Sequence, residues 1–62
     1  MPKFVIYRDI AGQYRWRLLA GNGEIIAISE SYTTVYSARR SAARVKILAR
    51  IAVIVDRTTV LS

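Results

Sequence analysis

The sequence predicts an α+β fold of the order β-β-β-α-β, in which one helix packs on a three-stranded antiparallel meander. Three observations lead to this prediction. Segments rich in β-branched and aromatic residues alternate in polarity and are separated by glycine-containing turns. An Asn-Gly pair between two of these segments is a strong hairpin signal. After them, small apolar residues recur with the 3.6-residue period of a helix.

The first two predicted strands run from Lys3 to Arg8 and from Gln13 to Ala20. The segment Asp9 to Gly12 between them has the composition of a turn, in which Gly12 is expected to adopt a positive φ. Because side chains alternate between the two faces of a strand, the second strand has one aromatic and one basic face. The aromatic face, expected to pack under the helix, holds Tyr14, Trp16 and Leu18, and the other holds Arg15, Arg17 and Leu19.

The pair Asn22-Gly23 leads into a third predicted strand, from about Glu24 to Ser29. The two-residue hairpin turn that matches the twist of the strands needs a positive φ at both central residues. Asn and Gly adopt that conformation with little steric cost, so we expect it at Asn22 and at Gly23.

A helix is predicted from Val35 to Arg50, with Thr34 as its N-cap. Its inner stripe is expected to hold small residues, which let it lie close to the sheet: Val35, Ala38, Ala42, Val45 and Ala49. The segment Ala52 to Val55 is apolar on both faces, which predicts a last strand within a sheet. Since no Pro or Gly turns the chain back after the helix, this strand can reach a neighbouring chain as easily as its own sheet.

A chain of 62 residues forms one small domain, which spans residues 1–62. So short a chain buries only about 60% of its unfolded surface and usually needs a disulfide, a metal ion or a partner chain. The sequence has no Cys and no His, yet 53% of its residues are hydrophobic. We therefore expect it to associate with another chain.

The chain resembles the YegP-like family, a set of small bacterial and archaeal domains of unknown function. The resemblance covers roughly residues 3–58. It rests on Phe4-Val5-Ile6-Tyr7-Arg8-Asp9, Gly12-Gln13-Tyr14-Arg15-Trp16-Arg17-Leu18, Ala20-Gly21-Asn22-Gly23-Glu24-Ile25-Ile26-Ala27, Ser29-Glu30-Ser31-Tyr32 and, in the helix, on Ala38 through Val45-Lys46.

The resemblance implies a homodimer, because this chain carries a single copy of a unit that otherwise occurs in tandem. The two copies are expected to form one continuous sheet and to exchange their C-terminal strands. The sequence departs from the family pattern at Arg40-Ser41, where family helices often have Asn-Gly, and at Arg50-Ile51-Ala52, where the linker is usually polar.

The composition argues against catalysis, since the chain has no His and its four carboxylates are scattered along the sequence. We expect no enzymatic activity, no cofactor and no metal site. No apolar segment approaches the ~20 residues that a membrane span needs, and no signal peptide is visible. A cytoplasmic, non-enzymatic interaction module is the leading hypothesis.

A basic stripe on the predicted helix is the main candidate site. The net charge of +6 favours an anionic partner, either nucleic acid or an acidic protein, besides the chain itself. The alternatives left open are a solvated helix face, a nonspecific nucleic-acid surface and a contact with a protein or a membrane surface, as apolar side chains accompany the charges. The candidate residues are Arg39, Arg40, Arg44, Lys46, Arg50 and Ile47.

Overall fold

Three antiparallel strands and one helix make up the fold. The structure is a computed structural model, and it describes residues 1–59. The strands are Lys3–Arg8 (β1), Tyr14–Leu19 (β2) and Ile25–Ile28 (β3), and the helix is Val35–Ala49 (α1). The sheet order is β1-β2-β3, with antiparallel pairing throughout. The predicted α+β meander with one helix is confirmed.

The register of the sheet separates its side chains into two faces. In the β1–β2 pair, Ile6 lies opposite Trp16, and Val5 lies opposite Arg17. Arg17 also lies opposite Ile28 of β3, and the register of that pair shifts between Leu18 and Leu19. Because directly opposed residues point to the same side of a sheet, Trp16 and Arg17 mark opposite faces.

The loop between β1 and β2 is a three-residue hairpin loop. The Asp9 N–H donates to the Gln13 carbonyl at 2.7 Å, and the Gly12 N–H donates to the Asp9 carbonyl at 3.0 Å. Gly12 has φ 82°, as predicted from the sequence. These bonds are typical of a type I turn that ends in a left-handed glycine.

The loop between β2 and β3 has the same design, which corrects the prediction for Asn22. The Ala20 N–H donates to the Glu24 carbonyl at 2.8 Å, and the Gly23 N–H donates to the Ala20 carbonyl at 2.9 Å. Gly23 has φ 88°, but within residues 1–59 no residue other than glycine has a positive φ. Instead, the Asn22 side-chain oxygen accepts a hydrogen bond from the Glu24 N–H at 3.0 Å. The loop is one residue longer than expected, so it needs only one left-handed residue.

The helix begins at the predicted N-cap and lies on β1 and β2. The Thr34 hydroxyl accepts a hydrogen bond from the Ser37 N–H at 3.1 Å, which confirms the cap. Ala38 and Ala42 are buried on the inner side of α1. In the part of the chain that the structure describes, α1 contacts β1 and β2 but not β3. One edge of the sheet is therefore uncovered on its helical side.

Trp16 is the centre of the core. Its side chain is buried, and its ring meets the Phe4 ring edge-on, with 5.2 Å between the ring centroids. The indole Nε1–H donates to the Ser41 hydroxyl of the helix at 2.9 Å, and the Tyr32 hydroxyl bonds the same oxygen at 2.7 Å. Burial of the aromatic face of β2 under the helix is confirmed at Trp16.

The first loop also contains an ion pair. An Asp9 carboxylate oxygen lies 2.9 Å from Arg15 Nε, and the other accepts the Gln13 N–H at 2.9 Å. The hydrogen bond from Arg15, followed by that from the Gln13 backbone, lowers the pKa of Asp9 from its ordinary value of 3.8. Both bonds favour the ionised carboxylate.

We expect this ion pair to make the free energy of unfolding depend on pH in the acid range. Because the pKa of Asp9 is lower in the folded state, its ionisation stabilises the fold. This stabilisation is complete above pH 3.8, the ordinary pKa, and is lost as the pH falls through the pKa of the folded state. Asp9→Asn, which keeps an acceptor but has no charge, should lower the melting temperature at neutral pH. The difference from wild type should narrow below pH 3.8 in thermal unfolding followed by circular dichroism. A constant difference at all pH values would contradict this assignment.

The segment after the helix extends away from the sheet. Residues 51–59 are exposed and form no strand in the single chain. The predicted strand Ala52 to Val55 therefore has no pairing partner within its own described chain. The exchange of this segment between two copies is not shown and stays a prediction.

Candidate functional site: the outer face of the helix

The outer face of α1 contains most of the basic stripe that the sequence predicts. Since Ala38 and Ala42 are buried against the sheet, a helix of 3.6 residues per turn directs Arg40 and Arg44 to the opposite, outer side. All six candidate residues are exposed: Arg39, Arg40, Arg44, Lys46, Ile47 and Arg50. The predicted exposure of this basic surface agrees with the structure, whereas its role is a separate question.

The positive charges of this face are not neutralised by neighbouring side chains. The ion pair of Asp9 and Arg15 lies in the first loop, and no other was found among residues 1–59. The remaining carboxylates, Glu24, Glu30 and Asp56, are all exposed and pair with none of the helix cations. The outer face therefore carries a positive field into solvent, where salt screens it over about 10 Å.

The basic surface is interrupted by apolar side chains. Tyr36 and Ile47 are 67% and 65% exposed on the same outer side, with Arg40 and Arg44 between them in sequence. An uninterrupted cationic surface would suit a row of phosphates, whereas mixed cationic and apolar side chains suit a protein surface as well. The outer face is therefore compatible with binding either to phosphates or to a protein surface.

Lys46 lies apart from the arginines. It borders an open cleft of about 390 Å³ between the helix and the start of β1. The cleft is lined by Pro2, Lys3, Phe4, Leu18, Ala42, Ala43 and Lys46. Lys3 and Lys46 are the charged residues of this mostly apolar lining, and the predicted stripe divides into an arginine surface and this cleft. The sequence could not indicate the division, because it depends on where β1 meets the helix.

The other basic residues of the sheet behave differently from one another, which sequence reasoning missed. Arg15 is paired with Asp9 and also donates to the Ser29 carbonyl at 3.2 Å. Arg17 has no carboxylate partner among the residues that the structure describes, and its guanidinium carbon lies 4.2 Å from the centroid of the Tyr7 ring. The Arg17 Nε–H is buried and, among the described atoms, meets no hydrogen-bond acceptor. Cross-strand position determines this difference, and composition gives no signal of it.

The acidic side chains of the described residues do not gather into a metal-binding group. Within residues 1–59, no cluster of His, Cys, Asp or Glu side chains is arranged to hold a metal ion. The pKa of Asp56 is lowered by its hydrogen bonds to Thr58, which form a local turn in the exposed tail. Over the same residues, no helix combines the length and hydropathy that a bilayer span requires.

Comparison with known proteins identifies the family of this chain. Residues 9–56 match a family model described as a domain of unknown function, DUF1508. A UPF0339 protein of Neisseria meningitidis is 61% identical over 31 residues, which are 50% of this chain and 55% of that protein. The matched segment thus spans about half the length of this relative. The UPF0339 protein Atu0232 of Agrobacterium fabrum is 44% identical over 59 residues, or 95% of each chain.

A solved structure extends the similarity to three dimensions. The solution structure of a protein from Haloferax volcanii superimposes with a TM-score of 0.79 at 34% sequence identity. The superposition covers 89% of this chain and 93% of that one. The fold described above is therefore shared between bacterial and archaeal relatives.

Proposed function

The chain belongs to the family of the domain of unknown function DUF1508, and from this membership we propose that it is a small homodimeric interaction module without catalytic activity. The observation that carries the proposal is the extended apolar tail. Ile51, Val53 and Ile54 are 76%, 81% and 98% exposed in the single chain. Side chains of this kind gain about 1.5–3 kcal/mol each when they are buried.

The size of the exposed surface supports association. The single chain exposes 5489 Å², whereas a compact protein of 7.0 kDa exposes roughly 4,000 Å². Its radius of gyration is 14.3 Å, compared with about 10.6 Å for a compact domain of this length. The excess area exceeds the ~800 Å² that each partner buries in a standard interface.

The sheet offers places for a partner's tail. With the order β1-β2-β3, the outer edges of β1 and β3 have backbone groups without a strand partner in the described chain. An extended segment can add to such an edge through backbone hydrogen bonds. We propose that the segment Ala52 to Val55 of each chain pairs with the sheet of the other chain, which makes one continuous sheet.

Light scattering coupled to gel filtration tests this proposal. We expect the wild type to have twice the 7.0 kDa mass of one chain across a wide concentration range. The double variant Val53→Asp, Val55→Asp should be monomeric, with a dissociation constant raised at least about 100-fold, because two apolar side chains per chain lose their burial. A wild type that remains monomeric up to millimolar concentration would overturn the proposal.

Arg57→Asp is the matched control for this test. It changes the net charge by the same amount as the double variant but lies in the tail beyond the proposed strand. The control should remain dimeric. If it dissociates as the double variant does, net charge rather than strand pairing controls association, and the proposed role of Ala52 to Val55 is wrong.

A nonspecific nucleic-acid surface on the outer helix face is the second candidate function. It is favoured by Arg39, Arg40, Arg44 and Arg50, which are exposed and have no carboxylate partner in the described chain. A dimer would carry this surface twice, and each additional phosphate that it binds increases the release of counterions. Binding would then be micromolar at low salt and would not depend on base sequence.

A gel-shift titration over a salt series tests the second candidate. Arg40→Gln combined with Arg44→Gln should reduce the slope of log affinity against log salt by about 0.9 for each phosphate that the protein no longer neutralises. The control, Lys3→Gln with Arg57→Gln, removes the same charge elsewhere and should keep the slope. No shift of duplex DNA or RNA at low salt, or an equal decrease in the control, would exclude the helix as the binding surface.

A further inference from the structure

The sheet has a second face, opposite the helix, that no described element covers. We define this open face by six residues that the strand register places on the side away from Trp16: Val5, Tyr7, Arg17, Leu19, Ile25 and Ile28. Lys3, at the start of β1, and Arg15, near the start of β2, flank it on the same side. Ile25 and Ile28 are 50% and 53% exposed. A partner's strand that pairs with an edge strand adds to the width of the sheet and covers neither face of the sheet. The open face would thus remain accessible in the proposed dimer.

Arg17 is the polar group at the centre of this face. Its neighbours across the strands are Val5 and Ile28, and its guanidinium group stacks on Tyr7. The charge of Arg15 on the same face is already matched by Asp9, whereas Arg17 has no carboxylate partner among residues 1–59. The buried Arg17 Nε–H also has no acceptor there. A buried N–H without an acceptor is unfavourable and leaves the guanidinium group without a hydrogen bond in the described chain. Because this N–H is shielded from solvent, a carboxylate from outside would bind the terminal nitrogens of the group through a charge-assisted, two-point contact.

We propose that the open face binds a protein segment that presents an Asp or Glu carboxylate among apolar side chains. The carboxylate pairs with Arg17, and the surrounding side chains pack on Ile25, Ile28 and Val5. This inference deepens the proposed interaction module, on which it rests, by naming the surface and the chemistry of the partner.

The shape and composition of the face favour a protein over other ligands. Small ligands prefer concave sites, and the cleft described above lies on the helical side of the sheet. A polyanion needs several free cations close together. On this side of the sheet Arg15 is paired with Asp9 and Lys3 lies at the first position of β1, so Arg17 is the one cation at the centre of the face without a carboxylate partner within residues 1–59. Tyr, Arg and exposed aliphatic residues are the composition of the buried centre of a protein interface, and Lys3, at the first position of β1, lies at the margin of this face.

A peptide titration followed by NMR tests the proposal. The probe is the acetylated and amidated peptide Ile-Thr-Glu-Thr-Ile, in which an extended backbone places both Ile side chains on the same side as Glu. The peptide with Gln in place of Glu is its neutral counterpart. The Arg17 Nε–H resonance reports on the guanidinium group, whose terminal nitrogens are the expected contact. We expect the Glu peptide to shift this resonance, with Tyr7 and Ile28, and to bind at least about tenfold more tightly than the Gln peptide.

Two variants keep the test independent of folding. Arg17→Met, which retains the apolar length of the side chain, should abolish the preference for Glu over Gln. Arg40→Met makes the same change on the outer helix face and should retain it. If Arg17→Met is poorly folded, Arg17→Lys serves instead, because it keeps the charge but lacks the planar guanidinium fork that holds a carboxylate at two points; it should lose most of the preference.

The outcomes separate this inference from the proposed dimer. Equal binding of both peptides, or shifts confined to the helix, would overturn the role of the open face even if light scattering shows a dimer. Shifts at Arg17 caused by a duplex oligonucleotide or by anionic lipid vesicles, but not by the Glu peptide, would overturn it as well. A preference for Glu in the Val53→Asp, Val55→Asp variant would support it independently of dimer formation.

Discussion

Replacing Trp16 with alanine is expected to abolish the folded state at room temperature. Removal of a buried Trp side chain destabilises a protein by about 3–5 kcal/mol, through reduced burial and the cavity left behind. A folded chain of 62 residues has a total stability of roughly 3–9 kcal/mol. Trp16 is one of very few buried apolar residues in the described chain, with Ala38 and Ala42 packed nearby. Little other core remains to compensate.

Urea unfolding followed by far-ultraviolet circular dichroism measures this effect. Trp16→Ala should lack a cooperative transition or should begin unfolding without denaturant. Trp16→Phe is the matched control, since it keeps an aromatic ring beside Phe4 but loses the hydrogen bond to Ser41. We expect the control to fold with a loss of about 1–3 kcal/mol. If Trp16→Ala unfolds at the same urea concentration as the wild type, the core lies elsewhere.

Enlarging Ala38 should produce the second large effect. Its side chain is completely inaccessible to solvent, at the place where the helix lies on the sheet. Leucine at this position would push the helix away and strain the contact of Ser41 with Trp16, at a cost of about 1–3 kcal/mol or more. Ala43→Leu, a change of the same size at an exposed position of the same helix, should cost little.

Thermal unfolding of the two leucine variants decides between packing and helix propensity. Alanine and leucine have similar helix propensities, so propensity alone predicts equal melting temperatures. We expect a clearly lower melting temperature for Ala38→Leu only. Equal values would mean that the close approach of the helix to β2 does not contribute to stability.

The elements of the fold could be predicted from local patterns. The alternation along Tyr14–Leu19 and the small-residue stripe of the helix each reflect one structural period, and Thr34 has the hydroxyl that caps the helix. The family resemblance, found from the hairpin motif, is confirmed by the match over residues 9–56. The turn at Asn22 could not be assigned correctly, because Asn-Gly is compatible with loops of two and of three residues.

The candidate site was predictable only in part. Exposure of Arg40 and Arg44 follows from helical periodicity once Ala38 and Ala42 are placed inside. The separate position of Lys46 and the stacking of Arg17 on Tyr7 depend on contacts between distant parts of the sequence. Such contacts arise from strand register and helix placement, which short-range patterns do not specify.

The contact between the indole and Ser41 has a practical consequence. The chain contains a single tryptophan, which is shielded from water by the helix that lies over it. Its intrinsic fluorescence therefore comes from one known location, and the emission should shift to the red as soon as the helix detaches, even while the hairpins persist. An optical signal from the unlabelled protein would thus distinguish loosening of the helix from melting of the strands.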